Sequence, residues 1–234
     1  GTDASDAIAW AAGIIETATQ LMKASSLIEI DSTHLVGTYY SGVSDLEFLH
    51  WLGSTNVKVA VKTTLNASSA DLTASTSNAG LSDRHQAREV VDALIKIGAT
   101  PTLTCAPYYL DAAPKFGARI AWAESNAVIF ANSVSGARTL KTPQYLDLAC
   151  AISGKAPLAG VMQDEGRKPE IIINATDLPE RWRSDGIGYE LLGFRIGEIA
   201  GERIPYFTGV PAGDETKLRA LCAALGVCGS MAMA

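Results

Sequence analysis

Alternation between two hydrophobic periods is the feature that most restricts the fold of this 234-residue chain. Apolar residues recur every three or four positions at residues 4–24 and 83–97, a spacing that predicts amphipathic helices. Short apolar runs at residues 27–30 and 57–61 are typical of strands. Helices that alternate with strands favour an α/β fold, with helices layered on both sides of a mainly parallel sheet.

The same reasoning predicts further elements along the chain. Asp3 or Ser5 suits the cap of the first helix and Asp83 the cap of the 83–97 helix, because short polar side chains accept hydrogen bonds from helix N-termini. A Ser-, Thr- and Asn-rich segment at residues 67–82 predicts a long loop. The remaining predicted helices are 45–52, 142–153, 187–200 and 214–225, and the remaining predicted strands are 102–104, 171–173, 204–207 and 227–234.

A change in composition marks the best candidate for a domain boundary. Residues 154–167 are rich in Gly, Pro and charged side chains, as linkers often are. We therefore expect a first α/β domain at residues 1–155 that carries the site loops. A second α/β domain, which we expect to be incomplete, follows at residues 156–234.

Charge and hydropathy exclude two classes of partner. The chain has 19 Lys and Arg against 25 Asp and Glu, a formal net charge of −6, whereas nucleic-acid binding needs a basic surface. No apolar run approaches the roughly 18 residues of a membrane span. The first residues also lack the basic and apolar regions of a signal peptide, so we expect a cytoplasmic location.

The four cysteines are not spaced as a zinc site or a Cys-x-x-Cys redox pair. In a chain of this size they are typical of reduced thiols, most of them buried as small hydrophobic side chains. They are Cys105, Cys150, Cys222 and Cys228.

Polar segments follow the predicted strands, and ligands of open α/β sheets bind at the carboxyl ends of strands. His34 follows the first strand, Asn66 the second and Cys105 the third. These segments are rich in small polar residues. They suit a site for a small anionic ligand.

A fourth segment surrounds the apolar residues 127–130 with polar side chains. Burying so many hydrogen-bonding groups is costly unless they are paired. Arg138 has the geometry for bidentate recognition of a carboxylate or phosphate. The polar residues are Glu124, Asn126, Asn132, Ser133 and Arg138.

Each of these residues also has a structural interpretation. His34 suits a hydrogen-bonded loop, Asn66 a turn, and Cys105 a plain buried thiol. Arg138 equally suits an ion pair with Glu124. Residue types and spacing alone therefore indicate a small-ligand α/β protein and leave these alternatives open.

Four segments together resemble the catalytic domain, or large subunit, of the aconitase X family. They are residues 27–37, 59–66, 102–108 and 120–139, in the family's order and spacing over most of the chain. The resemblance implies an aconitase-like lyase. The family's two known activities are the dehydration of cis-3-hydroxy-L-proline and of mevalonate 5-phosphate.

The resemblance also implies a cofactor, an iron–sulfur cluster of the [4Fe-4S] or [2Fe-2S] type held by three cysteines. Cys105 is similar to the first of these ligands. The other two lie in a part of family chains beyond the position of Ala234, so we expect an incomplete ligand set in a truncated or split chain. Gly37, Thr38, Tyr39 and Asn66 resemble substrate-contacting positions.

Our leading hypothesis is a hydro-lyase acting on a small hydroxy-carboxylate. Ala67 stands where phosphomevalonate-type members have Pro, which favours cis-3-hydroxy-L-proline. His34 and Glu124 are the expected catalytic pair, which orients the site or relays protons. Asn66 and Arg138 are expected to bind the anionic group, with Asn126, Asn132 and Ser133 as further substrate contacts.

The resemblance implies a partner, a small swivelling subunit or fused domain that carries a catalytic serine. Three alternatives stay open. The first is the large subunit of a mevalonate 5-phosphate dehydratase. The second is a non-catalytic fragment or paralogue that binds a small anion or a partner subunit. The third is an unrelated α/β ligand-binding protein.

Overall fold

The computed structural model describes residues 3–72, 82–111, 113–211 and 214–234. The helices are α1 (Ala4–Leu21), α2 (Val43–Ser54), α3 (Ser82–Lys96), α4 (Ser125–Ser133), α5 (Leu146–Ser153), α6 (Glu180–Ser184), α7 (Gly186–Ala200) and α8 (Glu215–Cys228). The strands are β1 (Leu27–Glu29), β2 (Ser32–Leu35), β3 (Lys62–Leu65), β4 (Ile120–Trp122), β5 (Lys155–Pro157), β6 (Ile171–Asn174) and β7 (Pro205–Thr208).

A parallel sheet of order β3-β2-β4 lies at the centre of the first part of the chain. His34 of β2 is level with Thr64 of β3 and with Trp122 of β4. Parallel bridges from Thr64 to Thr100 and from Trp122 to Lys141 continue the pairing on both sides. The carboxyl ends of all three strands therefore meet at one edge, and the α/β fold with a parallel sheet is confirmed.

Two hydrophobic cores lie on opposite faces of this sheet. Successive side chains of a strand point to opposite faces. Accordingly, Ala121 of β4 packs into the core formed by α1, α2, α3 and α5. Ile120 and Trp122 pack into the second core, formed mainly by α4, α7 and α8. The sheet is thus covered on both sides, as parallel sheets require.

The first helix shows why these elements form where they do. Asp3 caps α1, because its carboxylate accepts from Ser5 N while Asp6 accepts from Asp3 N in return. Ala7, Ala11 and Ile15 recur at helical spacing and are buried. The predicted helix and its Asp3 cap are confirmed.

Two predicted strands in the first part are wrong. Residues 57–61 alternate like a strand, but Val59 N donates to Ile97 O and Ala60 N to Ala151 O, so this backbone pairs with helix C-termini. The strand β3 begins afterwards, at Lys62. Residues 102–104 are also irregular, since Thr102 uses its side-chain hydroxyl to bond Leu65 O.

Two other predictions differ from the structure. The helix expected at residues 142–153 begins at Leu146. The predicted strand at residues 227–234 is wrong, because α8 continues to Cys228 and the last residues pair individually with Gly201 and Ser133. The predicted Asp83 cap and most of the 67–82 loop lie outside the residues whose side chains or backbone are described.

The second part of the chain contains the parallel pair β6–β7 and the packed helices α7 and α8. The two helices approach closely at Gly193, where an added Cβ would lie 2.7 Å from the Cβ of Ala224. This contact explains a glycine inside a helix. The division of the chain at residue 155 stays a prediction.

Among the described residues, no helix has both the length and the apolar composition needed to cross a membrane.

Candidate active site at the carboxyl edge of the sheet

The carboxyl ends of β2, β3 and β4 bring together four predicted site residues, which we name the carboxyl-edge cluster. His34 lies on β2, Asn66 directly follows β3, and Glu124 and Asn126 follow β4 at the start of α4. These residues are distant in sequence and meet because parallel strands end at the same edge.

Glu124 orients the two asparagines of this cluster. Its Oε2 accepts from Asn66 Nδ2 at 2.8 Å, and its Oε1 accepts from Asn126 Nδ2 at 3.2 Å. A carboxylate also suits this position, because the N-terminus of α4 is the positive end of the helix dipole. Since both NH₂ groups face Glu124, the amide oxygens of both asparagines point away from it.

Three buried polar atoms of the cluster have no hydrogen-bond partner within the described residues. They are His34 Nε2, Asn66 Oδ1 and Asn126 Oδ1. Buried polar atoms in folded proteins are nearly always paired, so each exception needs an explanation. Ordered water, or a bound ligand with hydrogen-bonding groups, would supply the missing partners.

His34 is fully buried, and its Nδ1 lies 2.8 Å from the hydroxyl of Thr64. Burial lowers the pKa of His34 to about 4, and nearby contacts of the ring with the Thr104 carbonyl and the Asn66 side chain, which fall short of good hydrogen-bond geometry, partly offset this effect. The imidazole is therefore neutral at neutral pH. It can accept or donate a hydrogen bond but does not supply a fixed positive charge.

Lys141 is a cation at this edge that the sequence analysis missed. It is paired with Trp122 across a parallel bridge, and its Nζ donates to Gly229 O at 3.3 Å. Burial lowers the pKa of Lys141, and the charge of Glu124 opposes that shift. The sequence carries no signal for it, because only the parallel bridge to Trp122 places Lys141 at this edge.

Arg138 lies at the other edge of the sheet. It bridges Arg119, the residue before β4, whereas Lys141 is level with the last residue of β4. Three residues of extended chain span about 10 Å. The guanidinium donates to Met162 O at 3.1 Å and forms an ion pair with Asp164. The alternative of an ion pair with Glu124 is therefore wrong, and the structure does not bring Arg138 to the carboxyl-edge cluster.

Asn132 and Ser133 also lie away from this cluster, at the C-terminal end of α4. Asn132 Nδ2 donates to the carbonyls of Thr139 and Ala232, and its Oδ1 accepts from Thr139 N. Arg167 NH2 donates to the Asn132 carbonyl at 2.7 Å. We name Asn132, Arg138 and Arg167 the amino-edge cluster.

The segment that follows β2 lies next to the carboxyl-edge cluster. It consists of residues 36–39, and we name it the 36–39 loop. Thr38 is buried, and its hydroxyl donates to Ala67 O at 2.7 Å, which ties this loop to the segment after β3. Tyr39 is about half exposed, and its hydroxyl donates to Gln144 Oε1 at 3.0 Å. Gly37, Thr38 and Asn66 are therefore neighbours in the fold.

Cys105 is exposed, so its interpretation as a plain buried thiol is wrong. It follows Thr104, whose carbonyl faces the His34 ring, and it therefore lies beside the carboxyl-edge cluster. Cys150 and Cys222 are buried, and burial raises the pKa of both thiols, to about 12 for Cys222.

The described residues do not form a complete metal site. They contain no group of three or more His, Cys, Asp or Glu side chains placed to hold one ion. Cys105 offers an exposed thiol at this edge, which suits one ligand of a cluster.

Two family descriptions match almost the whole chain. Residues 2–165 match the aconitase X first domain, and residues 169–234 match the aconitase X second domain. A crystal structure of the holo-form of aconitase X from Thermococcus kodakaraensis superposes with a TM-score of 0.87 and is 34% identical. The superposition covers 97% of this chain and 56% of that one.

Named relatives fall into two groups. A cis-3-hydroxy-L-proline dehydratase from Hypocrea jecorina is 40% identical over 83% of this chain, which spans 33% of that protein. One from Pseudomonas aeruginosa is 39% identical over 91% of this chain and 37% of its own length. A phosphomevalonate dehydratase large subunit from Thermococcus kodakarensis is 37% identical over 90% of this chain and 52% of its own length.

The chain thus spans about a third of the two hydroxyproline dehydratases and about half of the archaeal large subunit. The matches cover both parts of the chain, and the fold agrees with the solved relative. The chain belongs to the aconitase X family.

Proposed function

We propose that this chain forms the substrate-binding part of a hydro-lyase that removes water from cis-3-hydroxy-L-proline. The observation that carries this proposal is the pair of unpartnered amide oxygens of Asn66 and Asn126. The substrate has a secondary ammonium with two N–H donors, and two acceptor oxygens match these donors. A phosphate group would bring only further acceptors and charge to the same oxygens.

The other groups of the edge fit the remaining parts of this substrate. The Lys141 ammonium suits the substrate carboxylate, because charge-assisted hydrogen bonds are the strongest ones available. His34 Nε2 suits the hydroxyl, since a neutral imidazole neither repels the ammonium nor needs a counter-ion. Glu124 holds both asparagines in the orientation that exposes their oxygens.

The reaction removes a proton from the carbon beside the carboxylate and the hydroxyl from the next carbon. A carbon–carbon double bond and water are formed. We assign binding and orientation to this chain, and we place the serine that takes part in the chemistry on a small subunit or fused domain. The large-subunit relatives support a two-part enzyme, as do the portions of the relatives that this chain does not span.

We also propose Cys105 as one ligand of an iron–sulfur cluster whose other ligands lie in the remaining polypeptide of the enzyme. When bound, such a cluster supplies an iron with an open position, which acts as a Lewis acid. Cys105 by itself does not complete that site, so no step is assigned to the cluster.

Mevalonate 5-phosphate is the second candidate substrate. The similarity to archaeal phosphomevalonate dehydratase large subunits, at 35–37% identity for the three from Thermococcus and two methanogens, favours it. Ala67 favours the hydroxyproline type, as do the acceptor oxygens described above.

The test is an assay of the complete enzyme, prepared anaerobically with its small domain or subunit, on both substrates. We expect dehydration of cis-3-hydroxy-L-proline. Glu124→Gln should lower kcat/KM roughly a hundredfold, because the new amide no longer orients both asparagines. Glu198→Gln is the matched control, since Glu198 is an exposed residue of α7 that pairs with Arg195.

The outcomes separate the hypotheses. Activity on mevalonate 5-phosphate alone would replace the proposed substrate with the second candidate. Activity on neither substrate would favour a non-catalytic paralogue. Iron and sulfide are measured in the same preparation, and their absence would remove the proposed role of Cys105.

A further inference from the structure

The 36–39 loop is attached to a distant turn of the chain. Asp147 Oδ2 accepts from the Val36 backbone N–H at 2.9 Å across 111 residues of sequence. Gln144 Oε1 accepts from the Tyr39 hydroxyl at 3.0 Å. Both ends of the loop therefore contact residues 144–147, which we name the 144–147 turn.

Asp147 is a carboxylic acid in an unusual place. It is 1% exposed, and its Oδ1 accepts from Leu148 N at 2.7 Å, so each oxygen accepts one backbone N–H. Burying a carboxylate without a cation is costly, and burial raises the pKa of Asp147 to about 7 despite these hydrogen bonds. The free-energy cost of burying Asp147 is offset in part by the two backbone N–H groups that its oxygens bind.

Apart from Gln144 and the two backbone N–H groups, the surroundings of Asp147 are apolar. The small cavity beside it is lined by Leu35 of β2, Leu49 of α2 and Leu94 of α3. Within the described residues, the titratable group that interacts with Asp147 is the Cys150 thiol on its own helix. No basic side chain among those residues contributes to its pKa.

The 144–147 turn is itself held rigidly. Tyr145 has φ of +72°, a left-handed conformation that is strained for a residue with a side chain. Its ring packs edge-on against Phe48 and Trp10, with centroids 5.2 and 6.4 Å away. Gln144 passes so close to the loop that a Cβ on Gly37 would lie 2.9 Å from its Nε2. The Gln144 side chain therefore packs directly against the loop at Gly37.

We propose that Asp147 and Gln144 are positioning residues that fix the 36–39 loop in the conformation that receives substrate. The part that concerns substrate rests on the proposed function, because Thr38 of the loop bonds the carbonyl of Ala67, the residue that follows Asn66 of the carboxyl-edge cluster. The anchoring itself rests on the two hydrogen bonds and on the strained, packed turn.

The direct test is hydrogen exchange of the Val36 amide, measured by NMR at pH 8 in this chain. Asp147→Asn replaces one acceptor oxygen with an NH₂ group, so one of the two backbone N–H groups loses its acceptor. We expect the amide that loses its acceptor to exchange roughly tenfold or more faster, and we expect the Val36 amide to do so in Asp147→Leu, which removes both oxygens. Asp214→Asn is the matched control, because Asp214 caps α8 by accepting from Thr216 N and should leave Val36 unchanged.

The test in the complete enzyme separates positioning from a general loss of structure. A misplaced loop should raise KM about fivefold or more while kcat changes less. In the wild type, KM should also rise as pH falls through about 7, where the Asp147 carboxylate gains a proton. This dependence should be absent in Asp147→Asn.

Unchanged Val36 exchange in Asp147→Leu would overturn the anchor. An unchanged KM in an active Asp147→Asn enzyme would overturn the link to substrate. If the wild-type enzyme fails to dehydrate cis-3-hydroxy-L-proline, the proposed function fails, while Val36 exchange still decides the anchor. Should Asp147→Asn not fold, Gln144→Met removes the acceptor for Tyr39 and should raise KM alone; an unchanged KM would count against the proposal.

Discussion

The carboxyl-edge and amino-edge clusters are made from the same kinds of residues but differ in how completely they are paired. The amino-edge cluster is saturated, since Asn132 and Arg167 bond a series of backbone carbonyls and each other. The carboxyl-edge cluster leaves His34 Nε2 and two asparagine oxygens without partners. Buried polar groups stabilise a fold when they are paired and cost free energy when they are not.

This difference assigns the two clusters different roles. Saturated groups hold α4, the segment after β4 and the 160–167 turns together, and they have little capacity left for a ligand. Unpaired groups that are held in place by Glu124 retain that capacity. Under the proposed function, the carboxyl-edge cluster is therefore preorganised for binding, and a bound substrate would offset the free-energy cost of its unpaired groups.

The largest expected effect is on the free energy of unfolding when Arg167 of the amino-edge cluster is replaced, and it tests the comparison between the two clusters. Arg167→Met should lower the free energy of unfolding by about 4 kcal/mol, because buried carbonyls of Asn132, Ala137 and Val161 lose their donor. Urea unfolding followed by circular dichroism and fluorescence measures it. The control is Arg195→Met, an exposed residue whose loss should change stability by less than about 0.5 kcal/mol. A loss below about 1 kcal/mol for Arg167→Met would show that pairing is a poor guide to structural roles.

The next effect concerns the protonation of His34 in the carboxyl-edge cluster. Its pKa is lowered to about 4 in the folded state, so the unfolded chain binds the proton more tightly between pH 4 and 6.5. The stability of the wild type relative to His34→Gln should therefore rise by about 3 kcal/mol across that window and then stay constant. Urea unfolding at several pH values measures the difference.

Asp147 serves as the control for this pH series, because its contribution to stability should change with pH in the opposite direction. Because its folded pKa is raised to about 7, the native state binds the proton more tightly between pH 4 and 7. The stability of the wild type relative to Asp147→Asn should accordingly fall as pH rises through that range. A difference between wild type and His34→Gln that does not depend on pH would contradict the burial of a neutral imidazole.

The sequence predicted six of the eight helices in the described residues, because an amphipathic period depends on local spacing alone. It missed the short α6 and also α4, whose residues 127–132 are all buried and show no amphipathic period. It missed β2 and β4, whose interior residues do not alternate in hydropathy. On β2, Thr33 and His34 are both buried, and their polar atoms bond Thr63 and Thr64 across the strand pair at 2.9 and 2.8 Å. The sequence of one strand alone does not show which residues of another strand its side chains will bond.

The candidate site was predicted in its residue types but not in its division into two clusters. Asn66 and Asn132 look alike in sequence. Their roles are set by partners 58 and 100 residues away, Glu124 and Ala232. Lys141 was overlooked for the same reason, because only the parallel bridge to Trp122 places it at the carboxyl edge.

The smallest expected effect is a change in stability on replacing Asn126. It tests the comparison most directly, because the same Asn→Ala substitution is made in each cluster. Asn126→Ala should change the free energy of unfolding by less than about 1 kcal/mol, since the residue makes one side-chain bond, of 3.2 Å, and carries an unpaired oxygen. Asn132→Ala should cost about 3 kcal/mol, because Thr139 N and two carbonyls lose their partner. In the complete enzyme the order should reverse, with Asn126→Ala raising KM and Asn132→Ala leaving the KM of the folded fraction unchanged. Equal stability losses for the two variants would mean that Asn126 is a structural residue, and the acceptor argument for the ammonium of the substrate would then lose half of its support.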